Sequence, residues 1–90
     1  MAKKEDYEKI TAKQMLLLVE QYISSSDKKP FAEKLNKISD EVYYKKREKV
    51  SQKMVDIALA IHSFTKAALA GGPYQDFEEF VPDLGEILES

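Results

Sequence analysis

There is no cysteine in this 90-residue chain, only one histidine, three glycines and three prolines, and no uninterrupted apolar run longer than the five residues from Met15 to Val19. Each shortage removes a class of protein. Without thiols there are no disulfides and no thiolate chemistry, and a small domain lacking such staples fits the cytoplasm. A lone His62 with no cysteine or second histidine leaves a transition-metal site without its usual ligands. So few glycines and prolines supply too few tight turns for an all-β fold. A five-residue apolar run falls far short of the roughly 18 to 20 residues that cross a bilayer. The charged start MAKKEDYEKI lacks the apolar stretch of a signal peptide.

What is present is typical of a helical surface: 43% hydrophobic and 33% charged residues. Ninety residues predict one domain, residues 1–90, with a single core that buries roughly 60 to 65 per cent of the surface the unfolded chain exposes. The strongest pattern lies between Val50 and Leu69. Val50, Met54, Ile57, Ile61, Phe64 and Ala68 recur at steps of four and three, widened by Ala58 and Thr65, so one face of a helix is apolar for five turns. Gly71, Gly72 and Pro73 close it, because glycine accepts the left-handed conformation after a helix and proline cannot continue one.

Three further segments supply the cover. Thr11 and Gln14 have the T-x-x-Q spacing of a capping box, and Ile10 and Met15 that of a hydrophobic staple, which predicts a first helix over residues 12–24 and a disordered tail over 1–9. Met15, Leu18, Val19 and Tyr22 form its stripe. Leu17 falls outside it and marks a contact with a partner or an exposed leucine of no consequence. Asp27 can cap a second helix that has Pro30 in its first turn and Phe31, Leu35, Ile38 and Val42 as its stripe. Past Val42 the pattern stops without a glycine or proline. Either the chain turns between Lys45 and Ser51, with Ser51 as the next cap, or two helices run on as one rod of about forty residues. After Pro73, the spacing of Tyr74, Phe77, Val81, Leu84 and Leu88 is helical again. Pro82 interrupts it, predicting a short helix over 74–81, a bend, and another over 84–88. The expected fold is therefore all-α, an antiparallel four-helix bundle with its last helix bent or broken at Pro82.

No arrangement for catalysis stands out. Asp40 and Glu41, like Glu78 and Glu79, are adjacent and point to different sides of a helix. Gly71-Gly72-Pro73 lacks the lysine, hydroxyl and following helix start of a phosphate loop. No catalytic, cofactor or metal-binding residue is assigned, and the chain reads as a non-enzyme. Charge is uneven, however. From Lys28 to Lys53 nine lysines and arginines face four acids, whereas from Pro73 to Ser90 six acids face no base. Tyr43, Tyr44, Lys45, Lys46 and Arg47 form the one basic-aromatic cluster. The first reading of such a cluster is a solvated junction between helices; as a binding surface it suits an anionic membrane or an acidic protein better than nucleic acid, since the whole chain has net charge −2.

The order of segments resembles the immunity proteins of pediocin-like (class IIa) bacteriocins, small cytosolic four-helix bundles of Gram-positive bacteria. The similar features are a first helix ending in Tyr22-Ile23-Ser24-Ser25-Ser26, a second ending in Val42-Tyr43-Tyr44-Lys45-Lys46, an apolar third with an aromatic near its end, and a closing segment containing Leu84-Gly85-Glu86-Ile87. The resemblance implies a cytoplasmic protein that protects its producer by binding the toxin-engaged permease of the mannose phosphotransferase system, with peripheral contact at the inner membrane face. Partner contact is then expected at Tyr43, Tyr44, Lys45, Lys46 and Arg47, and at Tyr74, Asp76, Glu79, Asp83 and Glu86 of the acidic segment. The expected oligomeric state is a monomer or weak dimer. The main alternative is a phage or plasmid regulator that inhibits a host protein; a nucleic-acid-binding helical module is the third.

Overall fold

The computed structural model describes residues 3–75 and 77–89, with side chains from Tyr7 onward. Four α-helices make up its regular structure: α1 (Lys3–Ser24), α2 (Lys29–Tyr44), α3 (Gln52–Leu69) and α4 (Phe80–Glu89), with a 3₁₀ turn at Arg47–Lys49. No strand occurs among the described residues, and the fold is all-α. Its extents of 41 × 23 × 17 Å make it an elongated body.

Helix α1 begins at Lys3, two turns ahead of the expected start, so residues 3–9 of the expected tail are helical. Thr11 is buried inside the helix and Ile10 is exposed, so neither the capping box nor the staple forms. The cause is tertiary. Tyr7 packs against the core, and Lys46 Nζ lies 5.9 Å from the centre of its ring. The Glu8 carboxylate accepts from the Ser51 N–H at 3.2 Å and from its hydroxyl at 2.7 Å. Helix formation upstream of a good cap costs little when the added turns gain partners, and most helical stability comes from such packing.

Helix α1 ends under a lysine. Lys28 Nζ donates to the carbonyls of Tyr22 (2.7 Å), Ser25 (3.1 Å) and Ile23 (3.3 Å), satisfying oxygens that the last turn leaves without intrahelical donors. The expected cap, Asp27, does not serve: its backbone closes a small ring with the Ser25 hydroxyl, and α2 starts without a side-chain cap, with Pro30 in its first turn as expected. The turn between α2 and α3 is present and excludes the continuous rod. Both Lys45 and Lys46 donate to Glu41 O, Val50 is extended, and the Ser51 hydroxyl oxygen accepts from the N–H of Met54 as the cap of α3.

At the other end of α3 Gly71 has φ +106°, and the N–H of Gly72 returns to Ala67 O at 2.9 Å. A Cβ on Gly72 would stand 2.8 Å from that oxygen, so the approach needs glycine. The last segment departs furthest from expectation. Residues 74, 75 and 77–79 are not helical, residue 76 lies outside the described residues, and one helix, α4, spans Pro82. Pro82 is its third residue, in a first turn whose N–H groups have no intrahelical acceptor, so the ring costs nothing there and neither breaks the helix nor separates two.

The core is built from Met15, Val19 and Tyr22 of α1, Leu35 and Val42 of α2, Met54, Ile57 and Ile61 of α3, and Leu84 and Ile87 of α4. Phe64, assigned to the stripe of α3, is on its edge and partly exposed, while Val55 beside the stripe is buried. Small residues, Ala32 and Ser39 on α2 and Ala58 and Thr65 on α3, are fully buried. They accompany a polar tie in which Asn36 Nδ2 donates to Thr65 Oγ1 at 3.0 Å and Thr65 donates to Ile61 O at 2.8 Å. Phe77, outside any helix, stacks on Tyr22 with ring centres 4.6 Å apart and fixes the approach to α4.

Candidate functional site

The end of α2 and the 3₁₀ turn bring Tyr43, Tyr44, Lys45, Lys46 and Arg47 into one surface. The two tyrosine rings meet edge to face at 4.9 Å. Arg47 lies over the Tyr43 ring with Cζ 4.7 Å from its centre, while Lys46 is drawn to Tyr7. Tyr44 is 63% exposed and presents an edge contact at 5.7 Å to His62. His62 Nε2 in turn lies 3.3 Å from Asp40 Oδ1, joining α3 to α2. That contact accounts for the lone histidine as a tie between helices.

A cation over an aromatic face is held in place while its outer side keeps donors free. Arg47 and Lys46 are therefore pre-positioned, and exposed Lys45 and Lys49 add charge that is not stacked on a ring. Such a surface can take an anionic group between cations with an aromatic edge alongside. Glu41 and Glu48, also exposed, divide the positive field into small patches. Tyr7, which sequence reading placed in the tail, belongs to this end. Burial raises its pKa above the ordinary value and outweighs a hydrogen bond from Thr11, while the Glu41 charge and hydrogen bond push the same way as burial.

The acidic half of the expected contact set is dispersed. Tyr74 lies away from the basic end, its ring 6.4 Å from Tyr22, where it lines a cleft of about 190 Å³ with Ile23, Lys28 and Gln75. Glu86 forms an ion pair with Lys53 of α3. Hydrogen bonding to Glu86 is the main cause of a raised Lys53 pKa, and the Asp83 charge adds to it. Glu79 is exposed, and Asp76 lies outside the described residues. Among the described residues no group of three or more histidine, cysteine, aspartate or glutamate side chains could hold a metal ion, and no helix is long and apolar enough to cross a membrane.

One further surface showed in the sequence only at Leu17. Between α1 and α2 runs a groove of about 470 Å³ lined by Leu17, Leu18 and Ile38 among others. Its signal was the run Met15 to Val19, since five successive apolar residues point around the whole helix and one core face cannot bury them all.

Fold and surface together define a small all-α domain with an ordered basic-aromatic end. Comparison with family models, with curated proteins and with solved structures finds no match to this chain.

Proposed function

We propose that the protein is a non-catalytic binding domain of the bacteriocin-immunity kind: a cytoplasmic antiparallel four-helix bundle that engages a toxin-occupied mannose-type permease at the inner membrane face. The observation that carries the reading is the basic-aromatic end, where ring contacts order Tyr43, Tyr44, Lys46 and Arg47, and Tyr44, Lys45 and Arg47 are exposed. An exposed Tyr–Arg pair on a rigid helix end is the composition of a protein-contact hot spot. Cations nearby favour a phospholipid-rich setting. The antiparallel arrangement accords with Phe64 meeting Phe80 and Lys53 meeting Glu86 at successive levels of α3 and α4.

The test is protection. Expressed in a sensitive Gram-positive host, the chain should confer resistance to one or a few pediocin-like toxins and not to unrelated pore formers. Tyr44→Ala with Arg47→Glu should abolish protection without unfolding the protein, since neither residue is buried. Exchange of residues 73–90 for the matching segment of another immunity protein should shift the toxin resisted, provided apolar side chains stand at 77, 80, 84 and 87, which are core positions here. A host that stays sensitive to the whole panel while the protein is soluble and folded removes this reading and leaves inhibition of a host protein in its place.

A further inference from the structure

Helix α1 is apolar on two sides. Its Ala12, Met15, Val19 and Tyr22 are buried, yet Ile10 and Leu17 are 58% and 50% exposed. Seven residues separate those two, which places them on one line along the helix. Leu17 also walls the groove to which α2 contributes Lys34, Lys37, Ile38 and Glu41. We propose that this face is a self-association surface, covered by the same face of a second copy of the chain in an antiparallel, twofold arrangement.

The charges select the occupant. Lys34 and Glu41 are two helical turns apart on one side of α2; Glu41 is hydrogen-bonded to Tyr7 and Lys34 Nζ lies 6.0 Å from the centre of the Phe31 ring, but among the described residues neither belongs to a salt bridge. A twofold axis crossing α2 midway between them reverses the helix, so that Lys34 of each copy meets Glu41 of the other. One residue pair thereby yields two ion pairs, which is the self-complementarity an isologous interface requires. The same rotation reverses α1 and, because Leu17 lies at the height of the axis between Gln14 and Gln21, sets Leu17 of one copy against Leu17 of the other and leaves Ile10 at the margin, with Gln14 and Gln21 on the lip as neutral donors and acceptors. A wholly acidic partner would oppose Glu41 and a wholly basic one Lys34, whereas a reversed copy satisfies both. Lys37 stands beside the axis and faces its own symmetry mate. That repulsion and the small contact area set a weak dimer, with Kd on the order of 0.1 to 1 mM.

Sedimentation velocity on the full chain across that concentration range tests the proposal. The wild type should shift from monomer to dimer. Lys34→Glu should weaken association by roughly tenfold, and Leu17→Gln, at an exposed position, should do so without loss of fold. Glu41→Gln, which keeps a hydrogen-bond acceptor for Tyr7, should weaken it less. The reciprocal swap Lys34→Glu with Glu41→Lys should restore association, and Lys37→Gln should tighten it. A wild type that stays monomeric to about 1 mM overturns the proposal. So does a dimer that ignores the charge reversal, or a folded swap variant that fails to recover. None of these outcomes depends on the immunity assay, so the two readings fail separately.

Discussion

Ile61 has no solvent exposure and lies midway along the helix that supplies more of the core than any other. Truncation to alanine should cost about 2 to 5 kcal/mol in a urea titration, because the surrounding side chains close the cavity only in part. A loss below about 1 kcal/mol would show that its neighbours can collapse onto the space. At the basic end, Tyr7 titrates later in the folded state than in the unfolded one, chiefly because burial disfavours the phenolate. A raised acid pKa means that the folded state holds its proton longer. The associated stability is complete below the unfolded value near 10 and is lost as pH rises through the folded value. Wild type should therefore lose more stability than Tyr7→Phe between about pH 9 and 11, as read from denaturation midpoints. Equal losses would place Tyr7 in solvent.

At the scale of elements, the early start of α1 is fastened by Glu8, whose carboxylate takes both donors of Ser51. Glu8→Ala should cost about 0.5 to 1.5 kcal/mol and speed amide exchange in residues 3–9. Unchanged exchange would assign the fastening to Tyr7 alone. The same contact explains which helix boundaries could be read from the chain. Ser51 as a cap, Gly71 as a terminator and the stripe of α3 rest on local geometry, and local geometry is written in consecutive residues. The start of α1 rests on Ser51, 43 positions away, and no neighbour of Glu8 announces that partner. Pro82 misled for a related reason: proline forbids a helix interior but suits a first turn, and which of the two applies depends on where Phe77 packs. The candidate surface divides in the same way. Tyr43 to Arg47 are consecutive and stay together in space. The acidic residues of the last segment were grouped by composition, and tertiary packing sent Glu86 to Lys53 and Tyr74 towards Tyr22.

Across the whole molecule, the contacts fall into two kinds. Helices α2 and α3 are neighbours in sequence and share the largest interface, while α1 packs against α4, the helix furthest from it along the chain. Tyr22 and Gln75, whose hydroxyl and carbonyl meet at 2.6 Å, are 53 residues apart. The two interfaces have different arrival times. The α2–α3 pair closes a short loop and can form as soon as Leu69 is available, whereas the α1–α4 pair must first close most of the chain, at a higher entropic cost. Pulse-labelled hydrogen exchange during refolding should protect the amides of residues 52–69 ahead of those of 80–89, and simultaneous protection would argue against this order. During synthesis, which runs from the amino end at roughly 5 to 20 residues per second, α1 is the first helix made and the last to be covered. Until α4 has left the ribosome the side of α1 that packs against it stays open, although α2 already lies alongside. For that interval the nascent chain carries one uncovered apolar face, and it is then that a chaperone or a neighbouring chain has its best access to α1.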